Sequence, residues 1–192
     1  MKKRIFALFF SVSSLWTSPA WAHDPHEHGV ARLNVALEDG RLAIELDSPL
    51  ANLLSFEHAP RTDSQRDEVR AMVAKLRKAD ALFVLPKAAS CRLESVALES
   101  GNLPGNLLVP AALATGGQSG GAQANDEKDG AAEHGELEAS FVFRCDKPET
   151  LTQIDIRLFG AFPALREIEA QIIVPGRQSA AELTPKASLL KW

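Results

Sequence analysis

Two cysteines, no apolar run past residue 22 long enough to cross a membrane, and too few basic groups for a polyanion partner set the first limits on this 192-residue chain. The short supply of positive charge argues against nucleic acid, whose binding rests on neutralising phosphates with Lys and Arg. Also missing are the short patterns that mark common enzymes. There is no HExxH, because Glu27 is flanked too closely by His26 and His28, and there is no GxSxG elbow or Walker loop. Neither cysteine sits in a CxxC pair, so a redox or thiolate centre has little support. The expectation is a protein that catalyses nothing.

The apolar run that does exist lies at the start. Lys2, Lys3 and Arg4 precede an apolar stretch from Ile5 to Trp16, and Ala20-Trp21-Ala22 follows with small residues at the two positions that signal peptidase reads. The stretch is shorter than the about 20 residues a bilayer span needs. Residues 1–22 are therefore expected to be a signal peptide, and residues 23–192 a single periplasmic domain, not membrane-inserted after cleavage. Loss of Lys2, Lys3 and Arg4 takes 21 basic residues to 18 against 25 acidic ones, a net charge of −7 that mildly favours cations. In an oxidising compartment Cys91 and Cys145 read as one disulfide. Closing that ring would contribute roughly 4 kcal/mol by restricting the unfolded chain.

Alternation of apolar and polar residues dominates the pattern. Ala31, Leu33, Val35 and Leu37 alternate with Arg32, Asn34 and Glu38, and Leu42, Ile44 and Leu46 with Arg41, Glu45 and Asp47. Asp39-Gly40 between them suits the positive φ angles of a type I′ turn, which predicts a hairpin. Strands are also expected at 91–98, from Glu136 to Cys145, through Ile154, Ile156 and Leu158, and through Ile168, Ala170, Ile172 and Val174. One segment has helical spacing instead: Thr62 and Gln65 have capping-box form, and Val69, Met72, Val73 and Leu76 follow at i, i+3, i+4, i+7. A shorter helix is expected near Pro49 to Leu54. The fold class is α+β, an antiparallel sheet of five or more strands with one main helix packed on it, one disulfide and one mobile insertion loop. That insertion is placed at about 114–135, where Gly, Ala, Gln, Asn and Asp replace branched apolar residues. The disulfide would join the two strands flanking it.

Five histidines carry the chemistry: His23, His26, His28, His58 and His134. Cleavage after Ala22 would free the α-amine of His23, and an amine with its own imidazole can chelate. Were the first strand to extend back from Val30, His26 and His28 would share a face about 6–7 Å apart by strand rise. Neutral imidazoles suit zinc, copper and nickel alike. The plainer reading of HDPHEH is a solvated, His-rich terminus. For His58, in Phe56-Glu57-His58-Ala59-Pro60, it is a turn histidine bonded to backbone, and for His134 an exposed loop histidine.

His26-Glu27-His28-Gly29 leading into a strand, then Asp47-Ser48-Pro49, then Phe56-Glu57-His58-Ala59-Pro60, together resemble the ZrgA-type proteins, a zinc-regulated periplasmic zinc-binding family. Further matches are the Cys91 and Cys145 pair, Leu158-Phe159 followed by Phe162-Pro163, the Ile168 to Pro175 strand, and Leu183-Thr184-Pro185. The likeness runs from about His26 to Leu190. It implies a periplasmic protein that captures zinc and assists an inner-membrane zinc-uptake transporter, with His26, His28 and His58 as preferred ligands. Family members often carry a His/Asp-rich central insertion, whereas here that segment is Gly/Ala/Asn-rich with a single histidine, His134, so at most one modest site is expected. Two alternatives stand beside this reading. One is a copper-binding periplasmic protein using the amine and imidazole of His23 for Cu2+ in place of Zn2+. The other is a metal-free envelope interaction module.

Overall fold

The computed structural model describes residues 27–109 and 135–192. The expected signal peptide, most of the expected insertion, and His23, His26 and His134 lie outside them.

Along the chain the elements are β1 (Val30–Glu38), β2 (Arg41–Pro49), a 3-10 turn (Leu50–Asn52), α1 (Asp63–Leu76), α2 (Ala79–Leu82), β3 (Phe83–Val84), β4 (Cys91–Glu99) and α3 (Gly105–Leu108). After the undescribed segment come β5 (Glu136–Cys145), β6 (Gln153–Ile156), α4 (Leu158–Ala161), β7 (Glu167–Val174), β8 (Arg177–Leu183) and β9 (Leu189–Lys191). The β1–β2 hairpin turns at Asp39 (φ 47°) and Gly40 (φ 75°), the two positive φ values a type I′ turn requires. Thr62 accepts from the Gln65 amide while the Gln65 side chain accepts from the Thr62 amide, so the capping box starts α1.

Six strands form one sheet in the order β4-β5-β2-β1-β7-β8, and β3-β6-β9 form a second. The large sheet is mixed, which corrects the expectation of a purely antiparallel one: β1 and β7 run parallel, Val35 opposite Ile172. Period-2 patterning assigns each strand its buried face but says nothing of which distant strand lies beside it, or in which direction. Leu158 differs too. It opens the one-turn helix α4 instead of ending a strand. The segment near Pro49 to Leu54 is a single 3-10 turn.

Burial follows the alternation. Leu33, Val35, Leu42, Ile44, Leu46, Phe141, Phe143, Ile168 and Ile172 point inward and are almost wholly buried, joined by Val69, Met72, Val73 and Leu76 of α1. Each such side chain contributes about 1.5–3 kcal/mol relative to exposure. Phe83 of the small sheet meets Phe141 of the large one, ring centroids 4.9 Å apart, so both sheets share one core. Cys91 and Cys145 are directly opposed on β4 and β5 and are bonded, as expected, across the strands that flank the undescribed segment. No helix among the described residues is long and apolar enough to cross a membrane.

Candidate functional site

The site begins where the chain enters β1. Val30 donates its amide to the Glu27 carbonyl at 3.1 Å, closing a reverse turn over His28 and Gly29. Gly29 has φ +92°, at the position where a type II turn needs glycine. The strand therefore does not extend back through His28, and the alternation expected to align His26 with His28 stops at Val30.

Buried polar groups hold this turn. Asn52 accepts the Gly29 amide through Oδ1 at 2.6 Å and donates through Nδ2 to the Val30 carbonyl at 2.8 Å and the Ser48 hydroxyl at 3.2 Å. Ser48 and Asn52 are the buried polar residues among those described. Arg166 closes the other side: its guanidinium donates to the His28 carbonyl at 3.0 Å, and its amide to the Gly29 carbonyl at 2.8 Å. A Cβ on Gly29 would strike that guanidinium at 2.5 Å. His28 thus leaves a pinned backbone with its own side chain 55% exposed.

The His28 ring meets Glu57, Nε2 to Oε1 at 3.0 Å. A carboxylate only accepts, so Nε2 carries the proton in this contact. Glu57 lies in the 55–61 segment, clamped at both ends to the start of α1. Ser55 donates its amide and hydroxyl to the Glu68 carboxylate at 2.6 and 2.8 Å, and the Arg61 amide donates to Gln65 Oε1 at 2.7 Å. Phe56 is buried and stacks on the His58 ring, centroids 5.3 Å apart. His58 Nδ1 donates to the Ala59 carbonyl at 2.8 Å, which leaves Nε2 with the lone pair. Gly135 packs so tightly here that a Cβ on it would fall 2.2 Å from the Glu57 carbonyl oxygen.

Of the predicted ligands, then, the structure describes His28 and His58, and places Glu57 between them in sequence and against His28 in space. Among the described residues no three His, Cys, Asp or Glu side chains are grouped closely enough to hold one metal ion. Sequence reasoning passed over Glu57, Asn52, Arg166 and Gly135. The adjacency of Glu57 to His58 was a usable signal, as was the glycine directly after His28. The other contacts are long-range and leave no local trace.

The solvent face of the large sheet is acidic beside this site. Opposed residues run across all six strands as Glu99, Glu138, Asp47, Arg32, Glu169 and Glu182. Burial raises the Asp47 pKa, Glu45 raises it further, and Arg32 opposes them. The Glu167 pKa is also raised, chiefly by Glu182, then by burial, Glu169 and Glu27. Such a field draws cations toward the face.

These features define an α+β protein with one disulfide and an imidazole–carboxylate pair on the turn that enters β1. The chain belongs to the ZrgA family of zinc uptake proteins, whose description matches residues 25–192. That is a family of uptake proteins, not of enzymes. No curated protein matches the chain.

Proposed function

We propose that residues 1–22 export the chain and that residues 23–192 form a single periplasmic domain that captures zinc and assists an inner-membrane zinc-uptake transporter. His26, His28 and His58 are its preferred ligands, with His23 and His134 as further donors. Membership of a zinc uptake family supports this, and so does the acidic sheet face. The observation that carries it is the His28–Glu57 contact at 3.0 Å, since metal-binding histidines characteristically give their second ring nitrogen to a carboxylate.

Calorimetry of the untagged mature chain tests the proposal. Zinc is expected to bind with micromolar or tighter affinity at neutral pH, and binding should weaken as acid protonates the imidazoles. A preference for copper, seen as a Cu2+ EPR signal that deletion of residues 23–28 abolishes, would reassign the ion.

A further inference from the structure

We propose that the solvent face of the large sheet is a self-docking surface, on which a second copy of this chain stacks its own face about a two-fold axis running across the strands.

The order of charges along the strands carries it. Near the β1–β2 turn, Arg92, Arg144, Arg41 and Glu38 oppose one another across β4, β5, β2 and β1. At the other end of the same strands the opposed residues are Glu99, Glu138, Asp47 and Arg32. The register shift between Leu93 and Ser95 keeps Glu99 on the same face as Arg92. Each of the four strands therefore bears opposite charges at its two ends. Three run from Arg to a carboxylate, and β1 alone runs from Glu to Arg.

A two-fold axis across the strands reverses their direction while laying each strand on its own counterpart. It sets Arg92 over Glu99, Arg144 over Glu138, Arg41 over Asp47 and Glu38 over Arg32, each contact made twice. The inverted order on β1 selects this alignment. Laid on β2 instead, β1 would set Glu38 on Asp47 and Arg32 on Arg41.

The rows themselves call for a facing charge. Like charges directly opposite in a sheet are destabilising. Arg144 lies between Arg92 and Arg41, and Glu138 between Glu99 and Asp47. Exposed pairs of Arg92 with Asp146 at 3.0 Å and of Arg144 with Glu94 at 3.4 Å relieve the first row only in part, since such pairs contribute little. A second sheet of opposite order relieves both rows at once.

Between the charged rows the side chains are mostly short, among them Ala97, Ser95, Ser140, Ala43 and Ala36, with Glu45 the one charge on these four strands. Short side chains suit the spacing of about 10 Å at which sheets stack. In line with them on β7 stands Ile173, 55% exposed, which a facing sheet covers. Six strands at about 4.8 Å each, with about 3.3 Å per residue along them, offer about 600 Å2 per copy. Two copies bury about 1,200 Å2, the lower end of the range for specific interfaces, so the dimer is a weak one.

Sedimentation equilibrium of the untagged mature chain tests the proposal, with EDTA present so that no metal bridges the carboxylates. At low salt the wild type should pass from monomer to dimer with a Kd of about 1–100 μM. Raising salt from about 0.05 M to about 0.5 M should weaken the dimer about tenfold. Arg144→Glu and Glu138→Arg, each shown folded by circular dichroism, should each weaken it at least about tenfold. Mixed in equal amounts, these two variants should associate about as tightly as wild type, because opposite signs then meet in both copies of that contact. Arg92→Glu mixed with Glu99→Arg repeats the test on β4, away from the bond of Arg144 to the Asp39 carbonyl. A wild type that stays monomeric at low salt and about 1 mM overturns the proposal. So does a dimer that neither reversal weakens, or a pair of mixtures that fails to restore association.

Discussion

One buried amide holds the entry to β1: Asn52 accepts from Gly29 at 2.6 Å and donates to the Val30 carbonyl at 2.8 Å. The contact spans 23 residues, from the 3-10 turn after β2 back to the turn that carries His28. Replacing Asn52 with Leu leaves a buried N–H and C=O without partners, at a cost of about 1–3 kcal/mol for each group left unsatisfied. Urea melts of Asn52→Leu should show a loss of about 3 kcal/mol, and zinc affinity should fall with it. A variant as stable as the parent would mean that the turn is held by Arg166 alone.

Gly135 offers a second, steric test. An added Cβ would lie 2.2 Å from the Glu57 carbonyl oxygen and 2.6 Å from Leu50 Cδ1, so backbone must shift to admit it. Gly135→Ala should destabilise the fold by about 1–3 kcal/mol, the usual cost of forced overpacking. Hydrogen exchange should speed up in residues 55–61 before it does so in β1 or β2. Uniform change across the sheet would contradict a local role.

The start of α1 gives a calibrated change outside the turn that carries His28. Thr62→Ala removes the side-chain acceptor for the Gln65 amide, and loss of such a cap costs about 1 kcal/mol. Calorimetric melting should fall by about 2–4 °C for a chain of this size. Because Gln65 also accepts from the Arg61 amide at 2.7 Å, a small loss of zinc affinity should accompany it.

Asp47 supplies a pH signature. Its folded-state pKa is raised by burial and by Glu45, so the folded chain holds that proton more tightly than the unfolded chain does. Stability from this group is greatest in acid and is lost as pH rises from the ordinary aspartate range through the raised value. Asp47→Asn should therefore melt about one degree higher than the parent at pH 7, with the gain vanishing toward pH 3. A gain that persists in acid would assign the effect to packing.

Much of this architecture could be read from residue order because its causes are local. The Asp39-Gly40 turn, the capping box at Thr62 and the alternation from Glu136 to Cys145 each act over a few residues, and each forms where expected. What stayed hidden is long-range or weakly patterned. The parallel β1–β7 pairing joins segments more than 130 residues apart. Strand β8, Arg177–Leu183, is rich in small and polar residues because it is an edge strand with little to bury. At the site, histidine made His28 and His58 visible, whereas Glu57 and Asn52 owe their roles to partners distant in sequence.

Zinc capture is tested by titrating the untagged mature chain beside its His26→Ala/His28→Ala double variant, both shown folded by circular dichroism. The parent should bind with micromolar or tighter affinity and the variant at least tenfold more weakly. Equal affinities in the two, or no binding by a folded parent, would contradict zinc capture through these histidines.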